Sequence, residues 1–394
     1  MVSGKKVESG SGPIRYGMVG GGQGAFIGAV HRIAARIDGE FELVAGALSS
    51  DPERAKASAA ELGLDPERSY GSFAEMARAE SARPDGIEAV AIVTPNHMHY
   101  PAAKAFLEAG IHVICDKPLT STLADAKKLA ALVSKNGRLF VLTHNYTGYP
   151  MVRQAREMVA AGTLGDIRVV HAEYPQDWLT VQVDNKQAAW RTDPKRSGAG
   201  GATGDIGTHA YNLARFVSGL ELDSLAADLD AFVKGRKVDD NAHVMLRFKP
   251  RGKAPAAKGM LWASQVAPGN ENNLRLRVYG TKGGLEWSQE DPNYLWFTPF
   301  GEPKRLITRG GAGAGAAAAR VSRVPPGHPE GYLEGFANIY AEAARAIRAA
   351  RGKRGKPPKD VIFPTVSDGL EGVGFVDACV RSSKKNGAWV KIAV

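Results

Sequence analysis

The chain has 394 residues, 44% hydrophobic and 23% charged, and its 51 Lys+Arg against 41 Asp+Glu give a net charge of +10. This composition excludes a disordered, collagen-like or coiled-coil chain, and the length predicts two or three domains. Two cysteines, Cys115 and Cys379, cannot make a disulfide framework.

The opening MVSGKKVESGSGP is basic but lacks an apolar h-region, and residues 1–12 read as a disordered segment. No apolar run reaches the roughly 20 residues of a bilayer span, so the expected setting is reducing and cytoplasmic. Residues 13–148 alternate short β-rich runs with amphipathic stretches. Strands are predicted over 14–20, 41–48, 88–93, 111–115 and 139–143, and helices near 25–37, 52–62, 73–80, 100–109 and 122–135. Asp51-Pro52 places a proline at a first helical position. This is the pattern of a Rossmann-type parallel sheet with crossover helices.

After Pro150 the pattern changes. One helix over 151–161 leads into a strand over 166–174, and further strands are predicted over 243–248, 259–267, 274–280 and 294–300, with a hairpin turn at 280–284. Two long helices, 329–350 and 366–383, close the chain, and the low-complexity GGAGAGAAAA at 310–319 reads as a mobile loop. The expected architecture is α/β: a Rossmann-type domain at 13–148, then an α+β domain at 149–394 with a large, mostly antiparallel sheet open on one face. The basic excess sits in two Gly/Pro/Ala-rich stretches without aromatics, 249–258 and 351–359. Solvated loops, and not a nucleic-acid surface, are expected there.

The first strand runs into GGGQGA, in which Gly20, Gly22 and Ala25 fit G-x-G-x-x-[G/A]. The first small residue permits the turn, the second lets the backbone reach a pyrophosphate, and the third lets helix and strand pack closely. Gln23 lies within the turn. At the end of the second strand, Ser49 or Ser50 stands where an acid would meet the ribose hydroxyls, and Asp51 falls one or two residues late. Arg54 fits either a 2′-phosphate or a solvated helix face. NAD and NADP both remain open, with a lean to NAD.

The strand 88–93 runs into Thr94-Pro95-Asn96-His97-Met98-His99, and the strand 111–115 into Asp116-Lys117-Pro118. Ligands of open α/β sheets lie beyond such strand ends. Thr94, Pro95, Asn96, His99, Asp116, Lys117 and, after the fifth strand, Asn145 are therefore the expected cofactor contacts. Alternation places His97 and His99 on one face of an extended turn, but no third ligand supports a metal. In the second domain, GGATGDIGTH holds Asp205 and His209 four apart, on one face if helical. With Lys117 from the other domain they make an acid–base set for removing an alcohol proton. Further substrate contacts are expected from His144, Tyr146, Arg153, Trp178, Trp190, Arg191 and Tyr332.

From GMVGGGQGA through TPNHMHYP and CDKP to GGATGDIGTHAYNL, the chain resembles the Gfo/Idh/MocA oxidoreductases. Around VHRIAA, LSSDPERA, DKPLTST and HPEGYLEGFANIY it is similar to their levoglucosan dehydrogenase and glycoside 3-dehydrogenase branch. The family's Glu-Lys-Pro is Asp116-Lys117-Pro118 here. The resemblance implies hydride transfer from a secondary carbinol of a sugar, glycoside or cyclic polyol to C4 of the nicotinamide. His209 or Lys117 would accept the proton, and Asp205 would orient the sugar. It also implies a homodimer or homotetramer through the C-terminal sheet. A redox-neutral glycosidase or epimerase with tightly held NAD is the alternative. A non-enzymatic sugar-sensing regulator would be expected to lose Lys117 or His209, and both are present.

Overall fold

The computed structural model describes residues 12–252, 254–351 and 357–394. The segment expected to be disordered, apart from Gly12, lies outside the described residues, as do 253 and 352–356 of the two basic stretches. The chain divides into two compact units. The first takes the residues up to Thr120, then Ala124–Gly148 and Tyr332–Leu370; the second takes Ser121–Leu123, Tyr149–Gly331 and Glu371–Val394.

The first unit holds five strands: β1 (Ile14–Gly20), β2 (Phe41–Ala47), β3 (Ala89–Val93), β4 (His112–Cys115) and β5 (Phe140–Leu142). All pair in parallel, in the order β2-β1-β3-β4-β5. Every residue of β3 is buried, so it reads as a continuous apolar run and not as an alternation. The crossovers are α1 (Phe26–Ile37), α2 (Pro52–Glu61), α3 (Phe73–Ala82), α4 (His99–Glu108) and α5 (Leu123–Asn136). Asp51 caps α2 by accepting from the Arg54 amide, and Ser72 caps α3 by accepting from the Glu75 amide. Beyond β2 a single parallel bridge, Gly46 to Ser69, stands where a sixth strand would lie.

The second unit begins with α6 (Pro150–Ala160), β6 (Ile167–Pro175), α7 (Lys186–Arg191), α8 (Pro194–Ser197) and α9 (Thr208–Ser218). Strands β7 (Leu222–Asp230), β8 (Asn241–Phe248), β9 (Lys258–Ser264), β10 (Arg275–Gly280), β11 (Gly283–Ser288), β12 (Tyr294–Pro299) and β13 (Arg305–Thr308) follow, then α10 (Ala316–Arg320). The chain closes with α11 (Tyr332–Arg351), α12 (Val366–Ser383) and β14 (Val390–Lys391). Nine strands form one sheet, ordered β13-β12-β11-β10-β6-β9-β8-β7-β14. Every pairing is antiparallel except β6 with β9. In β8 the residues alternate, with His243, Met245 and Arg247 exposed, so one face of the sheet is left open.

Three expectations are corrected. The domain read as 149–394 gives up Tyr332–Leu370 to the first unit, because α11 packs on α1 and buries Phe336, Ile339, Tyr340, Ala343 and Ile347 in that unit's core. The stretch 310–319 is not a free loop. Its alanines enter α10, Ala318 is fully buried, and the Gly315 amide donates to Gln154 Oε1 at 2.5 Å. Alanine's helix propensity outweighs the glycines there. His97 and His99 do not share a face: a 3₁₀ turn at Asn96–Met98 leaves His97 exposed and carries His99 into the buried side of α4.

Candidate active site

The glycine turn follows β1, where the strand order reverses between β2 and β3, the place at which open α/β sheets bind ligands. Gly20 has φ +77°, and a Cβ at Gly22 would stand 2.6 Å from Ser58 Oγ and 2.8 Å from Leu48 O. The backbone at Gly22 therefore leaves no room for a side chain. The Gly22 amide donates to Leu48 O at 3.2 Å, which ties the turn to the end of β2. Close packing, expected at Ala25, falls instead to Gly28, where a Cβ would lie 2.4 Å from Gly21 Cα; Ala25 is the half-buried residue before α1.

Gln23 is exposed and its amide donates to Ser58 Oγ at 3.0 Å. Ser49 Oγ accepts from the Asp51 amide at 3.1 Å, and Asp51 in turn accepts from the Arg54 amide at 2.8 Å. Asp51 is thus occupied in capping α2, while Ser50 and the Arg54 side chain are exposed.

Beyond β3, Thr94 and Pro95 are half-buried and Asn96 is buried. Thr94 Oγ1 and Asn145 Nδ2, which follow the ends of β3 and β5, are buried polar atoms with no hydrogen-bond partner among the described residues. His99 is 1% exposed, with Nε2 at 2.9 Å from Thr94 O and Nδ1 at 2.8 Å from Pro118 O. Each nitrogen faces a backbone carbonyl, so the ring bridges the two loops that carry Thr94 and Lys117, and in the neutral form it donates to one of the two oxygens. Burial pushes its imidazole toward the neutral form.

Asp116 follows β4; its amide donates to Ile92 O at 2.9 Å and its Oδ1 accepts from Thr143 Oγ1 at 3.0 Å. Burial would raise its carboxyl, but His31, Lys117 and His99 outweigh that and hold it below the usual range. Lys117 is half-buried. Burial, with Lys117 adding to it, pushes the His144 imidazole down to about 4. Tyr146 and Tyr332 share one aromatic cluster, their rings 6.4 Å apart, and Tyr332 also stacks on Phe26 at 6.5 Å.

In the second unit, Asp205 lies on a π-helical turn, Thr203–Gly207, which passes into α9 and His209. The Thr208 amide donates five residues back to Thr203 O, so the wider turn replaces the α spacing expected between Asp205 and His209. Asp205 Oδ2 accepts from Arg191 Nε at 3.1 Å and from Gln265 Nε2 at 3.0 Å. The Arg191 guanidinium lies 4.3 Å from the Trp190 ring centre and 5.9 Å from that of Trp178. Trp178, Trp190, Arg191 and Asp205 therefore come together. His209 is 8% exposed, its ring 6.1 Å from that of Tyr174. Arg153 is 1% exposed, 5.3 Å from the Phe216 ring centre.

Two residues not singled out from the sequence hold this turn. Gln265 ends the run of β9, and Asp239 accepts from the Gly201 amide, the Thr203 amide and Thr203 Oγ1, each at 2.7 Å. Burial raises the Asp239 carboxyl against the pull of those donors. The doubled acid Asp239-Asp240 before an apolar strand was the available signal. Among the described residues no group of three His, Cys, Asp or Glu could hold a metal ion, and no helix is long and apolar enough to cross a membrane.

A parallel sheet, a glycine turn at its switch point with no room for a Cβ at Gly22, and the unpartnered Thr94 Oγ1 and Asn145 Nδ2 near its strand ends define a dinucleotide-binding domain. The family description "Oxidoreductase family, NAD-binding Rossmann fold" matches residues 14–146, and the "GFO/IDH/MocA C-terminal domain" matches 152–286. The chain belongs to the Gfo/Idh/MocA oxidoreductase family and its first unit binds NAD. It is 67% identical to an oxidoreductase structure from Sinorhizobium meliloti (97% of this chain, 100% of that one, TM-score 0.89). It is 36% identical to an inositol dehydrogenase homolog from Azotobacter vinelandii solved with NADH and myo-inositol (97% and 98%, TM-score 0.90). To levoglucosan dehydrogenase of Pseudarthrobacter phenanthrenivorans it is 28% identical over 96% of this chain and 98% of that one.

Proposed function

We propose that the chain is a cytoplasmic NAD-dependent dehydrogenase that oxidises a secondary hydroxyl of a cyclic polyol, sugar or glycoside. The observation that carries this reading is the likeness, over 97% of the chain, to a homolog solved with NADH and myo-inositol. NAD bound at the glycine turn supplies a hydride acceptor at C4 of its nicotinamide. Gly20, Gly22 and Gln23 would form the turn over which the pyrophosphate approaches the N-terminus of α1, Ser49 and Ser50 would meet the adenosine ribose, and Thr94, Pro95, Asn96 and Asn145 would line the way to the nicotinamide.

Lys117, Asp205 and His209 act on a common substrate. His209 accepts the hydroxyl proton, Lys117 donates to the same oxygen as negative charge builds on it, and Asp205 accepts from a neighbouring hydroxyl. Trp178, Trp190 and Arg191 offer ring faces and a planar cation to the sugar, and Tyr146, Arg153 and Tyr332 complete its surroundings.

The open sheet face supports a homodimer or homotetramer. Register runs one row across it, Met245, Met260, His171, Arg277, Glu286, Trp296 and Leu306, with Met245 52% and Met260 57% exposed. The active-site reading is tested with Lys117→Ala and His209→Ala. Each is expected to cut NADH formation by more than about 100-fold while fluorescence-detected NADH binding persists. Near-full turnover in either variant removes that residue from the reaction.

A further inference from the structure

His31 lies on α1, fully buried, although an imidazole is polar at both ends. One end is accounted for: Nδ1 stands 2.8 Å from the Tyr340 hydroxyl on α11. The other, Nε2, has no hydrogen-bond partner among the described residues and stands 3.9 Å from Asp116 Oδ1. The Phe336 ring, 5.1 Å away, closes the apolar side. The proton inventory fixes the tautomer. If Nδ1 carried the proton, a bare Nε2 lone pair would face a carboxylate and the Tyr340 proton would lack an acceptor. If the Tyr340 hydroxyl donates to Nδ1, its proton has an acceptor, and the ring proton sits on Nε2, where it faces the Asp116 carboxylate electrostatically at 3.9 Å.

We propose that Tyr340, His31 and Asp116 form a buried relay that orients the Asp116 carboxylate beside Lys117, which makes His31 a positioning residue for the reaction. This rests on the reading of Lys117 as the group that meets the substrate oxygen. Thr143 Oγ1 donates to Asp116 Oδ1 at 3.0 Å, and His31 Nε2 faces the same oxygen at 3.9 Å. The remaining titratable groups that act on it are His99 and Lys117, while its own charge acts on Cys115, His144 and Tyr340. With Oδ1 engaged by Thr143 and faced by His31, the carboxylate has one orientation next to Lys117, whose charge acts on it. His31 is thus the third functional residue that the sequence did not single out. It lies one turn into a helix whose start carries the glycine motif, and nothing in its spacing distinguishes it from a core residue.

The test uses the full chain without cofactor, labelled with ¹⁵N-histidine, with the His31 signals assigned by their loss in His31→Asn. The expected spectrum at neutral pH shows the Nε2–H tautomer, shifted by Asp116→Asn and driven toward a mixture by Tyr340→Phe. An Nδ1–H tautomer, or signals that ignore Asp116→Asn, overturns the relay. Turnover separates positioning from packing, because a glutamine amide reaches the place of Nε2 and an asparagine amide only that of Nδ1. With a polyol that the wild type oxidises, His31→Gln is expected to keep most of kcat. His31→Asn is expected to lose at least about tenfold in kcat with NADH affinity unchanged. Equal losses in the two variants, or a loss confined to NADH binding, overturn the positioning role. If no polyol or sugar is oxidised by the wild type, the functional reading fails, and the tautomer with its response to Asp116→Asn still decides the relay.

Discussion

At the scale of single residues, the glycine turn and the Asp205 carboxylate make the sharpest demands. Gly22→Ala forces a Cβ into Leu48 O and Ser58 Oγ. The Leu48 carbonyl belongs to the backbone and cannot rotate away, so the turn must shift. We expect NADH affinity, read by fluorescence titration, to fall at least about tenfold with the circular dichroism spectrum unchanged. Arg191→Lys keeps a positive charge but loses the planar group that lies on Trp190 while its Nε donates to Asp205. It is expected to lower kcat/KM for the accepted polyol by about tenfold, with NADH affinity unchanged. A drop in NADH affinity of the same size would place Arg191 on the cofactor instead. These residues differ in how openly the sequence displays them. Gly22 is legible because its spacing follows a strand. The hold of Arg191 on Asp205 is not, because the two are 14 positions apart on a chain that turns between them.

At the scale of elements, two buried polar contacts link segments far apart in sequence. The Leu139 amide, just before β5, donates to His112 Nδ1 on β4 at 3.0 Å, which requires the ring to be neutral there. Burial, then Arg138, pushes this imidazole down to about 4. Between that value and an unfolded value near 6.5 the unfolded chain binds the extra proton, so stability is complete above about pH 6.5 and falls as pH drops toward 4. The loss amounts to roughly 3 kcal/mol at most. Thermal unfolding between pH 7 and about 4.5 should show this slope, and His112→Asn, whose side-chain oxygen can accept the same amide, should flatten it. The second contact is Asp239, on which three donors from the Asp205 turn converge. Asp239→Asn sets an NH₂ group against amide donors and should cost about 2–4 kcal/mol in denaturant unfolding, with kcat falling alongside.

The elements themselves were largely legible. β1 and α12 match the expected ranges, because hydrophobic period and turn residues agree in both. β7, whose sequence LDSLAADLD mixes acids and alanines, escaped, since its strand state comes from pairing with β8 and β14 and not from propensity. The same tertiary override places Asp205 on a π-helical turn that no residue pattern announces.

At the scale of the whole molecule, the basic excess and the open sheet face carry different weight. The row that register defines across the face is apolar at its two ends, Met245 with Met260 and Trp296 with Leu306, and charged or polar between them at His171, Arg277 and Glu286; Met245 and Met260 are direct cross-strand partners. Replacing both by glutamate sets like charges opposite one another. Sedimentation velocity is expected to show the wild type as a dimer or larger and the double variant as a monomer that still binds NADH. A wild-type monomer would remove the assembly. The two-unit organisation was legible in the change of pattern near Pro150, whereas the return of α11 to the first unit was not, because an amphipathic helix does not declare which core it joins.

The chemistry stands or falls on net hydride transfer. Purified protein with NAD and, in turn, myo-inositol, levoglucosan and a panel of glycosides, followed at the reduced-nicotinamide absorbance band, should yield NADH in step with the ketone formed from at least one of them. Substrate consumed without net NADH would contradict a dehydrogenase and mark a redox-neutral enzyme on the same scaffold, and no reaction with any of them would contradict the proposed activity itself.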